Sequence, residues 1–112
     1  MRTSQILLLG AALAAPLPAL ADCYDLYGCT DRNYFDVQTL LAPGPNCEFL
    51  YQMRNGIFAE HHYCFHTPRA IASFGNEGCV SGDPNQLGLN RFELANTATI
   101  LQAEKAMGCP EY

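Results

Sequence analysis

The stretch that decides the fold has the sequence NCEFLYQMRNGIFAE, residues 46–60. It begins with Asn46, a favoured N-cap residue of helices, directly after the helix-breaking sequence APGP at 42–45. The positions that recur at steps of three and four residues, the helix period, are Cys47, Leu50, Tyr51, Arg54, Ile57 and Phe58. Gly56 interrupts the pattern at a cost of about 1 kcal/mol. The pattern predicts a helix over residues 47–60.

Capping signals predict a second, short helix after it. Thr67 is a suitable N-cap, Pro68 follows at the first helical position, and Gly75 stands just past the end. This spacing allows two helical turns at most. Residues 76–89 are rich in Gly, Asp, Asn and Pro, which predicts a loop.

The last predicted helix begins with a capping box. Asn90 would cap it, and Glu93 would bond back to the Asn90 backbone. The helix is expected to run to about Met107, where Gly108 ends it.

No other segment alternates as a half-buried strand would. Residues 22–45 have no clear period, and the sequence of residues 22–29 predicts either one helical turn or a tight loop. The expected architecture is therefore mainly α, a small three-helix, disulfide-stapled domain over residues 46–112. An irregular N-terminal segment, residues 22–45, precedes it.

Residues 1–21 have the features of a cleavable signal peptide. Arg2 supplies a positive charge, an apolar run follows at 6–15, and Ala19-Leu20-Ala21 forms a small-x-small cleavage site. The apolar run is shorter than the ~20 residues that span a bilayer. A lipidated cysteine would directly follow a small residue. The acidic Asp22 precedes Cys23, which argues against a lipoprotein. We expect cleavage after Ala21 and no integral membrane association afterwards. An uncleaved N-terminal anchor is the alternative.

All six cysteines lie after the predicted signal, in a chain of 112 − 21 = 91 residues. An even number of cysteines behind an export signal predicts disulfides rather than free thiols. Each would contribute roughly 2–4 kcal/mol, which matters in a chain with a modest core. Their spacing does not choose among the possible pairings. The cysteines are Cys23, Cys29, Cys47, Cys64, Cys79 and Cys109.

The charge pattern excludes two classes of partner. The formal net charge is −5, and the basic residues after the signal are scattered singly. Without a basic patch we expect no binding to nucleic acid or to anionic membrane surfaces.

Two blocks of sequence carry a family resemblance. Residues 50–65 follow the pattern L-x-x-x-R-N-x-I-F-A-E-H-H-Y-x-F, and residues 89–104 follow L-N-x-x-E-x-x-N-x-x-x-I-x-x-x-E. Together they resemble the YARHG domain, a bacterial extracytoplasmic module, with its named motif at 58–62. Glu60 reverses the charge of the motif's arginine, which would undo any anion contact there. His62 replaces the motif's glycine, which argues against a left-handed turn.

The resemblance implies a periplasmic or secreted protein of the bacterial cell envelope, with links to proteins that act on the cell wall. The family has no established activity. The sequence also resembles a disulfide-bearing variant of the domain, through residues 63–65 and 74–79. That implies the pairs Cys64–Cys79, Cys47–Cys109 and Cys23–Cys29.

The histidines suggest a metal-binding alternative. His61, His62 and His66 lie close together beside Glu60, and imidazole and carboxylate are ligands for Zn or Cu. Thr67-Pro68 disfavours a helix that would bring His62 and His66 to one face. No second ligand cluster exists in the sequence, so we predict no metal and no other cofactor.

An enzyme is not expected. Ser73 and Ser81, the serines after the signal, lie in no nucleophile elbow, and each cysteine can pair. Two alternatives remain: a small enzyme with paired carboxylates from Glu60, Glu93 and Glu104, or an inhibitor of an envelope enzyme acting through loop 76–89.

The polar residues of the two long helices favour packing or binding. Arg54 and His61 share one helix face, and Glu93, Asn96 and Glu104 share another. In the packing account, the fold would be held by a bond from Arg54 to Glu93 or Glu104, or by caps from Asn55 and Asn96. In the second account, a groove for cell-wall material or a peptide is lined by Arg54, Asn55, His61, Tyr63, Glu93 and Asn96. The predicted function is an exported, non-enzymatic binding module for cell-wall material or an envelope protein.

Overall fold

The computed structural model describes residues 23–42 and 44–111, so the predicted signal peptide at 1–21 lies outside the described residues. Two short strands come first, β1 (Cys23–Tyr24) and β2 (Gly28–Cys29). The four helices of the described residues are α1 (Val37–Leu41), α2 (Cys47–Glu60), α3 (Pro68–Phe74) and α4 (Arg91–Ala106). A 3-10 helix, Pro84–Gln86, lies between α3 and α4. None of these helices combines the length and the apolar character needed to cross a membrane.

The mainly α prediction is confirmed, and the three predicted helices form where their caps placed them. The Asn46 side chain accepts a bond from the Phe49 N–H at 2.8 Å and so begins α2. The Thr67 side chain caps α3 in the same way, and Gly75 ends it with a φ of 78°. Each cap satisfies backbone groups that the helix itself leaves unpaired.

The predicted capping box of α4 is present in full. Asn90 Oδ1 accepts from the Glu93 N–H at 2.9 Å, and Glu93 Oε1 accepts from the Asn90 N–H at 2.9 Å. Gly108, just past the C-cap, has a φ of 74°. This reciprocal pair fixes the start of α4 and, with it, the direction of the Glu93 carboxylate.

The prediction of an irregular segment at 22–45 is wrong where three elements form. β1 and β2 pair antiparallel as a tight hairpin, with Cys23 opposite Cys29. α1 follows, and Asp36 caps it by accepting from the Thr39 N–H at 3.0 Å. α1 is therefore a fourth helix. Strands of two residues are too short for alternation to be visible in the sequence.

The core lies between α2 and α4, and α1 packs against α4. Leu40, Leu50 and Ile100 are fully buried, and Ile57 is 2 % exposed. Phe35 joins the same cluster. Phe35 and Leu40 come from the N-terminal segment, so the predicted boundary at residue 46 is not a boundary of the core.

Three disulfides cross-link the described residues. Cys23–Cys29 closes the hairpin, and Cys47–Cys109 joins the start of α2 to the residue after Gly108. Cys64–Cys79 ties the chain after α2 to loop 76–89. These are the three pairs that the family resemblance implied.

Candidate functional site

Arg54 of α2 pairs with Glu104 of α4 at one end of the interface between these helices. Arg54 Nε lies 2.5 Å from Glu104 Oε1, and Nη2 lies 3.3 Å from Oε2. The Glu104 side chain is 5 % exposed and that of Arg54 is 21 % exposed. A two-point, charge-assisted contact of this kind both stabilises the pair and fixes the plane of the guanidinium. The alternative pairing of Arg54 with Glu93 does not form.

His61 and Glu93 pair at the other end of the same interface. His61 Nε2 lies 2.9 Å from Glu93 Oε2. The other carboxylate oxygen, Oε1, accepts the capping-box bond from Asn90. Both oxygens of this buried glutamate are therefore engaged inside the fold, so Glu93 is a structural residue.

Asn96 lies on α4 between the two glutamates and is fully buried. Its Oδ1 accepts from the Phe35 N–H at 2.8 Å, and its Nδ2 donates to the carbonyls of Thr30 and Asn33 at 2.9 Å and 2.8 Å. Asn96 thus binds the backbone of the N-terminal segment. The prediction that it caps a helix is wrong, because it sits in the middle of α4.

Asn55 is not a helix cap either. It lies inside α2, and its Nδ2 donates to the carbonyl of Tyr51, four residues earlier, at 3.0 Å. It is 8 % exposed. This local bond holds the Asn55 amide against its own helix.

The expectation that His62, in place of the motif's glycine, would not form a left-handed turn is wrong. His62 adopts the left-handed conformation, with a φ of 61°. Its N–H donates to the Ala59 carbonyl at 3.0 Å, and its carbonyl accepts from the Val80 N–H at 2.7 Å. Two backbone bonds on one residue offset the cost of this conformation, and histidine enters it more readily than most residues.

The three histidines have separate surroundings. His61 contacts Glu93, His62 is exposed, and His66 Nε2 lies 3.3 Å from the Gly82 carbonyl oxygen. A Cβ on Gly82 would lie 2.8 Å from the His66 ring, so this contact requires glycine. Among residues 23–42 and 44–111, no three His, Cys, Asp or Glu side chains approach closely enough to hold a metal ion.

A cleft of about 150 Å³ lies between α2 and the chain that leads into α3. We call it the aromatic cleft. Its lining residues are Tyr51, Arg54, Asn55, Tyr63, Phe65, His66, Thr67 and Ala70. Three of the six predicted binding residues, Arg54, Asn55 and Tyr63, therefore meet here. His61, Glu93 and Asn96 do not line it.

Ring contacts build the aromatic wall of this cleft. The Tyr63 ring packs edge-on against Phe65, with centroids 4.9 Å apart, and against His66 at 5.8 Å. On the α2 side, the Arg69 guanidinium lies 4.0 Å from the Tyr51 ring centroid. Tyr51 and Phe65 were not predicted as cleft residues, and both are largely buried, so they back the cleft as part of the packed interior.

Arg69 is itself positioned by Glu48, which accepts a bond from its Nη2. A hydrogen bond from the Gln52 side chain lowers the pKa of Glu48, and the Arg69 charge lowers it further. Arg69 of α3 is thus held over the Tyr51 ring but does not line the aromatic cleft, whereas Arg54 does.

A second cleft, of about 280 Å³, lies on the α4 side of Arg54. We call it the charged cleft. Its lining residues are Arg54, Leu101, Glu104, Lys105, Cys109, Pro110 and Glu111. Arg54 borders both clefts. This cleft was not predicted, because the implied Cys47–Cys109 pair anchors the tail but no sequence pattern shows that residues 109–111 lie beside Arg54.

Loop 76–89 supports the aromatic cleft from behind. The Asn76 side chain accepts from the Phe65 N–H at 2.7 Å and donates to the Phe65 carbonyl at 3.0 Å. The Cys64 N–H donates to the Ser81 carbonyl at 2.7 Å. These bonds and the Cys64–Cys79 disulfide fix Phe65 in the wall of the cleft.

Comparison with known proteins gives one match to a family model. The model of the YARHG domain matches residues 29–105, which include α1, α2, α3 and all but the last residue of α4. The match also includes all the lining residues of the aromatic cleft and those of the charged cleft up to Lys105. No curated protein and no solved structure matches the chain. The family model covers most of the 112 residues. The chain belongs to the YARHG domain family, an extracytoplasmic domain of unestablished function.

Proposed function

We propose that this protein is a non-enzymatic binding module of the cell envelope, periplasmic or secreted, that binds cell-wall material in the aromatic cleft. The observation that carries the proposal is the lining of this cleft. Tyr63 offers a partly exposed ring, backed by the rings of Tyr51 and Phe65, which are only 3 % and 5 % exposed. Arg54, with a side chain 21 % exposed, offers hydrogen-bonding groups beside it. A cleft with apolar walls and a few placed polar groups is the usual form of a small-ligand site.

The chemistry of the cleft suits a sugar unit of a wall polymer. A sugar ring has an apolar C–H face that packs on an aromatic ring, and hydroxyls that bond amide and guanidinium groups at its edge. Typical sites for whole small molecules have volumes of about 300–1,000 Å³, whereas this cleft has about 150 Å³. We infer that it takes one unit of a longer polymer rather than an enclosed free ligand.

The contacts of the glutamates support a non-enzymatic role. The paired-carboxylate alternative needs acids that can exchange protons with a substrate. Glu93 is bonded by His61 and Asn90, and Glu104 is bonded at both oxygens by Arg54. Two of the three candidate catalytic acids, Glu93 and Glu104, are thus bonded within the fold.

The contacts of loop 76–89 weigh against the inhibitor alternative. A loop that binds an enzyme as an extended segment must offer free backbone groups to it. The Val80 N–H, at the most exposed apolar side chain of this loop, already donates to the His62 carbonyl at 2.7 Å. The loop is therefore better suited to holding Phe65 than to entering another protein.

The experiment is co-sedimentation of the exported, oxidised protein with purified peptidoglycan, with and without soluble wall fragments as competitors. We expect pelleting that the fragments compete away. Tyr63→Ala should weaken it about tenfold, the effect of losing ~1.4 kcal/mol of ring contact. Tyr34→Ala is the matched control, because Tyr34 is 59 % exposed and lines neither cleft.

Failure of the folded wild-type protein to pellet would contradict the proposal. Equal loss in the two tyrosine variants would place binding outside the aromatic cleft. Circular dichroism and melting temperature must show that both variants keep the wild-type fold.

A further inference from the structure

We infer that the aromatic and charged clefts are two subsites of one groove, whose ligand is a glycan fragment that carries a peptide. The sugar lies in the aromatic cleft, the peptide lies in the charged cleft, and the junction lies over Arg54. This inference rests on the proposed function, since it names the ligand class of the same site. The observation behind it is that Arg54 lines both clefts.

Arg54 is suited to the junction because its orientation is fixed while part of its bonding capacity remains. Two of its N–H groups bond Glu104, and an arginine side chain has further N–H donors. The side chain is 21 % exposed and lines both clefts. A guanidinium held in this way offers preorganised donors to the carbonyl group that links a sugar to its peptide.

The two clefts differ in charge. In the aromatic cleft, Arg54 is the sole lining residue with a permanent charge. The charged cleft adds Lys105 and Glu111, while the charge of Glu104 is already balanced by Arg54. The remaining groups are one cation and one anion. Such a pair matches a short peptide with both carboxylate and amino groups, through charge-assisted hydrogen bonds.

Covalent restraint keeps the charged cleft in place. Pro110 and Glu111 follow Cys109 directly, and Cys109 is bonded to Cys47 at the start of α2. The Cys109 N–H also donates to the Glu104 carbonyl at 2.9 Å. The wall that would meet the peptide is therefore held against the same helix that supplies Arg54.

The test compares three defined ligands by titration calorimetry: a wall disaccharide, the same disaccharide with its peptide, and the free peptide. We expect the joined fragment to bind at least about tenfold more tightly than either part, because one molecule then uses both subsites. Lys105→Gln should remove most of the difference between the joined fragment and the disaccharide, and leave disaccharide binding unchanged. Arg91→Gln is the control, an exposed cation at the opposite end of α4.

Each other outcome overturns the inference. Equal affinity for the disaccharide and the joined fragment would exclude the peptide subsite, and so would a Lys105→Gln protein that binds all three ligands as wild type does. A free peptide that binds as tightly as the joined fragment would exclude the sugar subsite. If none of the three ligands binds to folded protein, the proposed function fails together with this inference. If the disaccharide binds but the peptide adds nothing, only this inference fails.

Discussion

The two ends of the α2–α4 interface use similar pairs in different ways. Glu104 and Glu93 both lie on α4, and their side chains are 5 % and 6 % exposed. Both oxygens of Glu104 are bonded by Arg54, which borders two clefts. Glu93 divides its oxygens between His61 and its own helix cap. The Arg54 end therefore couples stability to the surface for which we propose ligand binding, whereas the contacts of the His61 end lie within the fold.

The largest effect is expected from Arg54→Ala. This change leaves the buried Glu104 carboxylate without its cation, which typically costs about 3–5 kcal/mol. Because small domains have only about 5–15 kcal/mol in all, urea unfolding should show the loss clearly. The exposed control Arg91→Ala should stay within about 0.5 kcal/mol of wild type.

A double variant sharpens this prediction. Replacing both Arg54 and Glu104 with leucine removes the buried charges together, and we expect it to be more stable than Arg54→Ala alone. An Arg54→Ala loss below about 1 kcal/mol would mean that water already reaches Glu104, and would remove the contrast between the two ends.

A smaller loss is expected from Asn96→Ala, midway between the ends. Three hydrogen bonds to the N-terminal segment disappear, and the buried Phe35 N–H loses its acceptor. We expect a loss of roughly 2–3 kcal/mol. Amide hydrogen exchange at residues 30–35 should quicken well beyond exchange in α4. Uniform quickening throughout the chain would contradict a local role for Asn96.

His61→Ala should cost less, about 1–2 kcal/mol, because Glu93 keeps its bond to the Asn90 N–H. Urea unfolding measures this loss. Peptidoglycan binding should stay within about twofold of wild type, since His61 does not line the aromatic cleft. A loss of stability equal to that of Arg54→Ala would show that the two ends are equivalent.

The smallest effect concerns Glu48, which is exposed and whose pKa in the fold lies below its ordinary value of 4.5, first through the Gln52 bond. A carboxyl with a lowered pKa contributes stability at pH values above its unfolded pKa, and that contribution is lost as the pH falls through the folded pKa. Glu48→Gln should therefore lower the melting temperature slightly near neutral pH and make no difference in strong acid. An equal effect at all pH values would assign it to packing instead.

Local chemistry made much of the helical frame predictable. The caps at Asn46, Thr67 and Asn90 act on backbone groups a few residues away, so their effect is visible in a short stretch of sequence. The Arg54 pairing was also within reach, because residues three and four apart share a helix face.

The features that sequence analysis missed depend on distant backbone groups. The partners of Asn96 lie 61–66 residues away and include no side chain, so no residue pattern marks them. The left-handed His62 is held in part by the Val80 N–H of loop 76–89. The charged cleft forms where residues 109–111 lie beside Arg54. The Cys47–Cys109 pair anchors this tail, but no local pattern in the sequence shows which residues the tail faces.

The most direct test of the contrast between the two ends is peptidoglycan affinity measured side by side for Tyr63→Ala and His61→Ala. The account predicts about a tenfold loss for Tyr63→Ala, while His61→Ala binds as wild type does despite its lower stability. Equal loss in both variants, or loss in His61→Ala alone, would contradict the assignment of binding to the Arg54 end.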